Sequence, residues 1–187
     1  MKKIMFNDKF GLTKAALEGW KTQTRRIVPQ SAIQRAIKYQ EWYYNGALER
    51  IDLVAALNQL YFVEEILKLP YVDNDVVAIA QSYKDCAKSG MQDTPGWTNK
   101  MFVRADLMPH RIKIESIRVE RLQDISNEDC LAEGVYQVNG CSYKVDGMNL
   151  VGDDPKFIYS VLIDKIAGKG TWNKNPFVFV YDFSLID

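Results

Sequence analysis

The chain of 187 residues has a single histidine, His110, and three cysteines, Cys86, Cys130 and Cys141. A structural zinc site draws on four Cys/His ligands, often spaced Cys-x-x-Cys, and none of these thiols is so spaced. The odd cysteine count reads as reduced thiols of a cytoplasmic protein, with no metal and no cofactor expected. Long apolar runs are missing as well. Residues 76–80 and 177–181 are far shorter than the roughly 20 residues that cross a bilayer. No apolar stretch follows Met1-Lys2-Lys3, so neither a secretory leader nor a membrane partner is expected. Charge of either sign is not in excess: 24 Lys+Arg face 24 Asp+Glu. That balance excludes a polybasic protein coating nucleic acid along its length. Repeats and low-complexity tracts are absent too.

What remains is an ordinary globular composition, 47% apolar and 26% charged. The length suits one domain, residues 1–187, carrying an insertion. The neutral total hides an uneven distribution. Residues 1–28 carry seven Lys/Arg against two Asp/Glu, and residues 99–124 carry six against four. Residues 29–98 and 125–187 are acidic. If the two basic segments meet in space, they form a local positive patch on a neutral protein.

Periodicity predicts a short strand at residues 4–6, a helix over 11–18 ended by Gly19, and a strand from Trp20 to Val28 before Pro29. Residues 31–68 keep helical spacing and read as two helices broken near Asn45-Gly46, a helical insertion at about 31–70. Strands follow at 76–80 and at 110–122, the second with a parity slip between Ile114 and Ile117 that predicts a bulge. Ser126-x-x-Asp129 is a helix-start pattern. A weak hairpin over 136–145, a helix over 157–166 and a strand over 177–183 complete the series. Many strands with few helices argue for the α+β class and a small mixed barrel.

The densest polar cluster is Gly19-Trp20-Lys21-Thr22-Gln23-Thr24-Arg25-Arg26. On a strand, Thr22, Thr24 and Arg26 share one face, and Gln23 and Arg25 the other. A lysine crowded by two arginines has its ammonium form disfavoured, and a neutral lysine can activate a threonine hydroxyl as nucleophile. The plainer reading is a solvated basic strand that packs or binds phosphate. Elsewhere, Gln81 and Tyr83 at a strand end can read and stack on a base, or be ordinary packing. Trp172 can serve as a stacking platform or a surface cap. His110, beside Pro109, reads as a turn residue more than a base. Trp42-Tyr43-Tyr44 reads as packing. Gly168-Lys169-Gly170 follows a helix instead of opening one, so it is no phosphate loop.

Gly19-x-Lys21-x-x-Thr24-x-Arg26 resembles the Gly-x-Lys-x-x-Glu-x-Arg signature of ASCH domains, of the PUA-like superfamily. Two further blocks are similar, in the same order. One is Val119-Glu120-Arg121-Leu122 with Ala132-Glu133-Gly134-Val135. The other is Gly170-Thr171-Trp172-x-x-Asn175-Pro176 before the last strand. The resemblance implies a PUA-like mixed β-barrel with flanking helices and a cleft at the first helix–strand junction, binding RNA or a modified nucleoside. One branch of the family is an amidohydrolase that deacylates cytidine derivatives with a lysine, a threonine and a glutamate. Its threonine stands where other members carry glutamate, as Thr24 does here. Carried over, Lys21, Thr24 and Glu133 would be catalytic, and Thr22, Arg25, Arg26, Gln81, Tyr83 and Trp172 would contact RNA or substrate. A third reading makes the barrel a scaffold and residues 31–70 the docking surface for a protein partner.

Overall fold

The computed structural model describes residues 1–43, 55 and 69–186. Strand β1 (Lys2–Ile4) leads through a 3-10 turn at Asp8–Phe10 into helix α1 (Leu12–Leu17). α1 buries Leu12, Ala15 and Ala16 and leaves Lys14 in water, a one-sided pattern that holds a helix of under two turns in place by packing. Gly19 takes φ +78°, the left-handed conformation glycine adopts without strain, and turns the chain back. Strand β2 (Gln23–Ile27) follows, then helix α2 (Gln30–Tyr43).

Strand β3 (Val76–Ile79), a loop of 3-10 turns and the long strand β4 (Arg111–Arg121) come next. Helix α3 (Asn127–Ala132) starts where Ser126 Oγ accepts the Asp129 N–H, as its capping pattern predicts. The hairpin β5 (Tyr136–Val138) and β6 (Ser142–Lys144) precedes helix α4 (Pro155–Ala167), the short helix α5 (Thr171–Lys174) and strand β7 (Phe177–Leu185).

The protein is α+β, with a five-stranded mixed sheet ordered β1-β3-β4-β7-β2. β1 and β3 run parallel and the other pairs antiparallel. β4 and β7 form the longest pair, from Ile112↔Leu185 to Arg121↔Phe177, with a register shift between Ile114 and Ser116 where the parity slip predicts one. Residues 177–181 are all buried, so both faces of β7 are covered, and the continuous apolar run is the mark of such a strand. Phe183 meets Phe6 at 5.6 Å between ring centroids, and Tyr181 meets Tyr71 edge-on. These contacts join the sheet to the segments after β1 and before β3.

Two expectations need correction. The strand predicted from Trp20 begins only at Gln23, because Trp20 and Lys21 both donate to the Ala15 carbonyl and Thr22 to that of Ala132. Their N–H groups bond to helix carbonyls, and only the Thr22 carbonyl reaches the neighbouring strand, where it accepts from Phe183 N, so Thr22 joins the sheet by one bond and its side chain stays exposed. For the helix predicted over 157–166, spacing alone puts Ile158, Val161, Leu162 and Ile166 on one apolar face, whereas α4 buries Pro155, Ile158, Tyr159, Leu162 and Ile163 and exposes Ile166. Of the helical insertion, α2 carries Ala32, Ala36 and Gln40 inward at the expected spacing. The break at Asn45-Gly46, the second helix and Tyr44 lie outside the described residues. Among the described residues, no helix is long and apolar enough to cross a membrane.

Candidate functional site

Buried polar side chains, Lys21, Gln23, Thr24, Arg25 and Glu133, mark the junction between α1, β2 and α3. Lys21, 1% exposed, extends beneath the end of α3, where its Nζ donates to Gln23 O (2.6 Å), Glu133 O (2.7 Å) and Glu133 Oε2 (2.8 Å). Three acceptors match the three N–H bonds of an ammonium, so the resting side chain is charged and saturated. Close approach here depends on Gly134, at φ +109°. A Cβ there would stand 2.8 Å from Leu12 Cδ2 and 3.7 Å from Lys21 Cδ. Burial lowers the Lys21 pKa below its ordinary 10.5. The Glu133 carboxylate pulls it back up, and the Arg26 and Arg25 charges push it down.

Arg25, with a fully buried side chain, is the hub of a second set. Its Nη2 meets Glu120 Oε1 at 2.6 Å and Asp129 Oδ2 at 2.7 Å, and its Nη1 reaches Glu133 Oε1 at 3.4 Å and donates to Gln23 Oε1. Arg118, on β4 across β7 from β2, pairs with Glu120, Asp129 and Asp182. Gln23 Nε2 bridges Asp129 and Asp182. A buried guanidinium needs this degree of pairing to offset its desolvation. Burial alone would raise the Asp129 pKa, but hydrogen bonds from Gln23 and Arg25 outweigh it and hold the carboxyl below 3.8.

Beside these pairs lies a cleft of about 220 Å³. Residues 5–7 form one wall and Thr24, Arg25 and Arg26 the facing one; Lys21 and Glu133 close the end, and Tyr159, Leu162, Ile163 and Ile166 of α4 supply an apolar side. Lys100 steadies the first wall by donating to Phe6 O at 2.7 Å. Arg26 Nη2 donates to Met5 O at 2.6 Å and thereby ties the two walls together. Among the described residues Arg26 has no carboxylate partner, and the Thr24 hydroxyl has no hydrogen bond, so no direct bond joins Thr24 to Lys21 or Glu133. Tyr159 is buried along the cleft, and burial first, then the Glu133 charge, pushes its phenol well above the ordinary range, so it stays neutral. Its hydroxyl also lacks a partner among the described residues.

Of the residues marked by sequence, Lys21, Thr24, Glu133, Arg25 and Arg26 line this one cleft. Thr22 is exposed and outside it. Gln81 is buried with an unpartnered Oε1, and Tyr83 packs in a separate small cluster with Ala78, Ala80, Val103 and Met108. Trp172 lies behind the cleft, edge-on to Tyr159 at 6.3 Å and beside a surface groove of α4. Sequence reasoning missed residues 5–7 and Tyr159. The first carry no polar motif, and the second sits in a helix whose period announces only core. Among the described residues no three His, Cys, Asp or Glu side chains are grouped to hold a metal ion. No protein-family model, curated protein or solved structure matches the chain.

Proposed function

We propose that the protein is a PUA-like, ASCH-type binder whose cleft takes one nucleoside, free or presented by single-stranded RNA. The observation that carries this reading is the cleft itself. Its volume of about 220 Å³ is below the roughly 300–1,000 Å³ of drug-sized sites, so it admits one base-sized group and excludes a nucleic-acid track. Its apolar side suits the face of a base, while Arg26 and the Thr24 and Tyr159 hydroxyls are polar groups with bonding capacity to spare. The Arg26 bond to Met5 O joins the two walls of the cleft. Calorimetric titration with a nucleoside panel and with short single-stranded RNA tests the reading. Binding of a nucleoside that Thr24→Val or Arg26→Ala weakens supports it; no binding to any nucleoside or RNA ends it. If RNA phosphates contribute, log K falls against log salt with a slope of about −0.7 per phosphate.

A second reading, hydrolysis of an acylated cytidine-type nucleoside, is favoured by one specific feature: a threonine hydroxyl without a partner in the same cleft as a lysine whose pKa burial lowers. Lys21 would first pass the proton of its 2.8 Å contact to Glu133 Oε2. Neutral Lys21 would then take the Thr24 proton as Oγ attacks the acyl carbonyl, and Glu133 would return its proton to the departing amine. Water cleaves the resulting Thr24 ester and releases the acid. Acetate release by wild type from acetylated cytidine, lost in Thr24→Val and Lys21→Met, would support this chemistry. No turnover over a panel of acylated nucleosides removes it and leaves binding intact.

A further inference from the structure

The cleft touches Thr24, Arg25 and Arg26, three successive residues of one strand. Successive side chains of a strand point to opposite faces, so a cavity bordered by all three meets the strand on its edge. The facing wall, residues 5–7, continues β1, and β1 and β2 are the two outermost strands of the sheet. The cavity is therefore a seam between two sheet edges.

An antiparallel partner takes the backbone groups of every second residue and leaves those between pointing outward. Which set faces outward in β2 follows from the bonds at its ends. Phe183 N donates to Thr22 O, and Val28 N donates to Phe177 O. With the Thr24↔Tyr181 and Arg26↔Phe179 register, the even-numbered residues bond to β7. Gln23, Arg25 and Ile27 therefore turn their N–H and C=O away from it. The Lys21 ammonium on Gln23 O confirms this direction. Along β1 and the residue that continues it, the outward carbonyls are likewise capped by side chains, Lys3 O by Tyr71 and Met5 O by Arg26. Arg25 differs. Among the described residues nothing bonds to its N–H or its C=O, although its side chain is saturated.

We infer that the main-chain N–H and C=O of Arg25 read the hydrogen-bonding edge of a flat heterocycle inserted in the seam. The ligand class is a base with an adjacent acceptor and donor, such as the N3 and exocyclic amine of cytosine. This rests on the nucleoside reading above and adds how the base is held. One residue's two groups point the same way, as in the double exchange of an antiparallel pair, so a single planar edge can satisfy both. A ligand that does so replaces a missing strand partner. An extended peptide adding to β2 is the competing occupant, but Lys21 already fills Gln23 O, and about 220 Å³ is too little for several residues of chain.

Amide hydrogen exchange and NMR shifts of the full chain test the proposal. In the free protein the Arg25 amide exchanges faster than those of Thr24 and Arg26, which are bonded to β7. Saturation with cytidine slows the Arg25 amide and shifts its proton downfield, and 3-methylcytidine binds about tenfold or more weakly because the methyl group removes the acceptor of the Arg25 N–H and holds the base edge off the strand. Cytidine binding that shifts the cleft side chains but leaves the Arg25 amide unchanged overturns this inference and spares the nucleoside reading. No binding by any nucleoside overturns both. Protection of Arg25 by an extended peptide but not by cytidine replaces the base with a strand.

Discussion

Arg25 and Arg26 are neighbours in sequence and opposites in structure. Arg25 is buried among Glu120, Asp129 and Glu133, and its guanidinium is paired with all three. Arg26 is half-buried at the cleft and bonds to one carbonyl, with no carboxylate near it among the described residues. The difference teaches where stability ends and recognition begins. A guanidinium matched inside the protein holds α3 against β2 and β4. One left with open donors in a cavity has capacity for something outside the chain. The same contrast runs through single residues, since Arg25 is closed at its side chain and open at its main chain.

The largest way to break this comparison is at its closed end. Arg25→Met leaves Glu120, Asp129 and Glu133 without their shared cation, and stability falls by about 3 kcal/mol. Arg26→Met removes one hydrogen bond and costs about 1 kcal/mol. Urea midpoints of the two variants decide it, and equal losses would erase the distinction. Ligand affinity reverses the order of importance: Arg26→Ala weakens nucleoside binding about tenfold, read by calorimetry, while its fold persists.

Acid and base limbs sharpen the comparison further. Asp129 has a folded pKa below 3.8, so the stability it confers is complete above 3.8 and lost as pH falls through the folded value. Asp129→Asn should flatten that acid limb of a denaturation-midpoint profile. Lys21 has a dependence of the same sign at the alkaline end, although there burial disfavours the charged form. Its folded pKa lies below 10.5, so between the two values the unfolded chain binds the extra proton and stability rises with pH toward 10.5. Lys21→Met should remove this smaller slope; a wild-type profile that falls there would contradict a depressed lysine.

Much of the fold was legible because local rules and tertiary packing agree. The β4 bulge, the Ser126 cap, the Gly19 turn and the buried run of β7 follow from parity, capping chemistry and backbone freedom. The start of β2 was not legible: Trp20, Lys21 and Thr22 look extended, yet Ala15 and Ala132 take their N–H groups. Within the candidate site, Lys21 and Thr24 stand out as a local motif. Tyr159 does not, because an aromatic on a helical core face looks the same whether it packs or lines a cavity. Gln81 and Tyr83 show the reverse error, polar or aromatic residues at a strand end that the fold directs elsewhere than the cleft.

By itself the sequence determined the balance of charge, the alternation of most strands, the helix ends and the crowding of Lys21, Thr24, Arg25 and Arg26 into one short segment. These depend on neighbours along the chain, where spacing fixes direction. Only the tertiary structure decided that Glu133 meets Lys21 across 112 positions, that the two arginines divide between closed network and open cleft, and that residues 5–7 and β2 line one cleft. Those outcomes depend on which sheet edges and helix ends converge, and no spacing within a segment encodes the distance between segments.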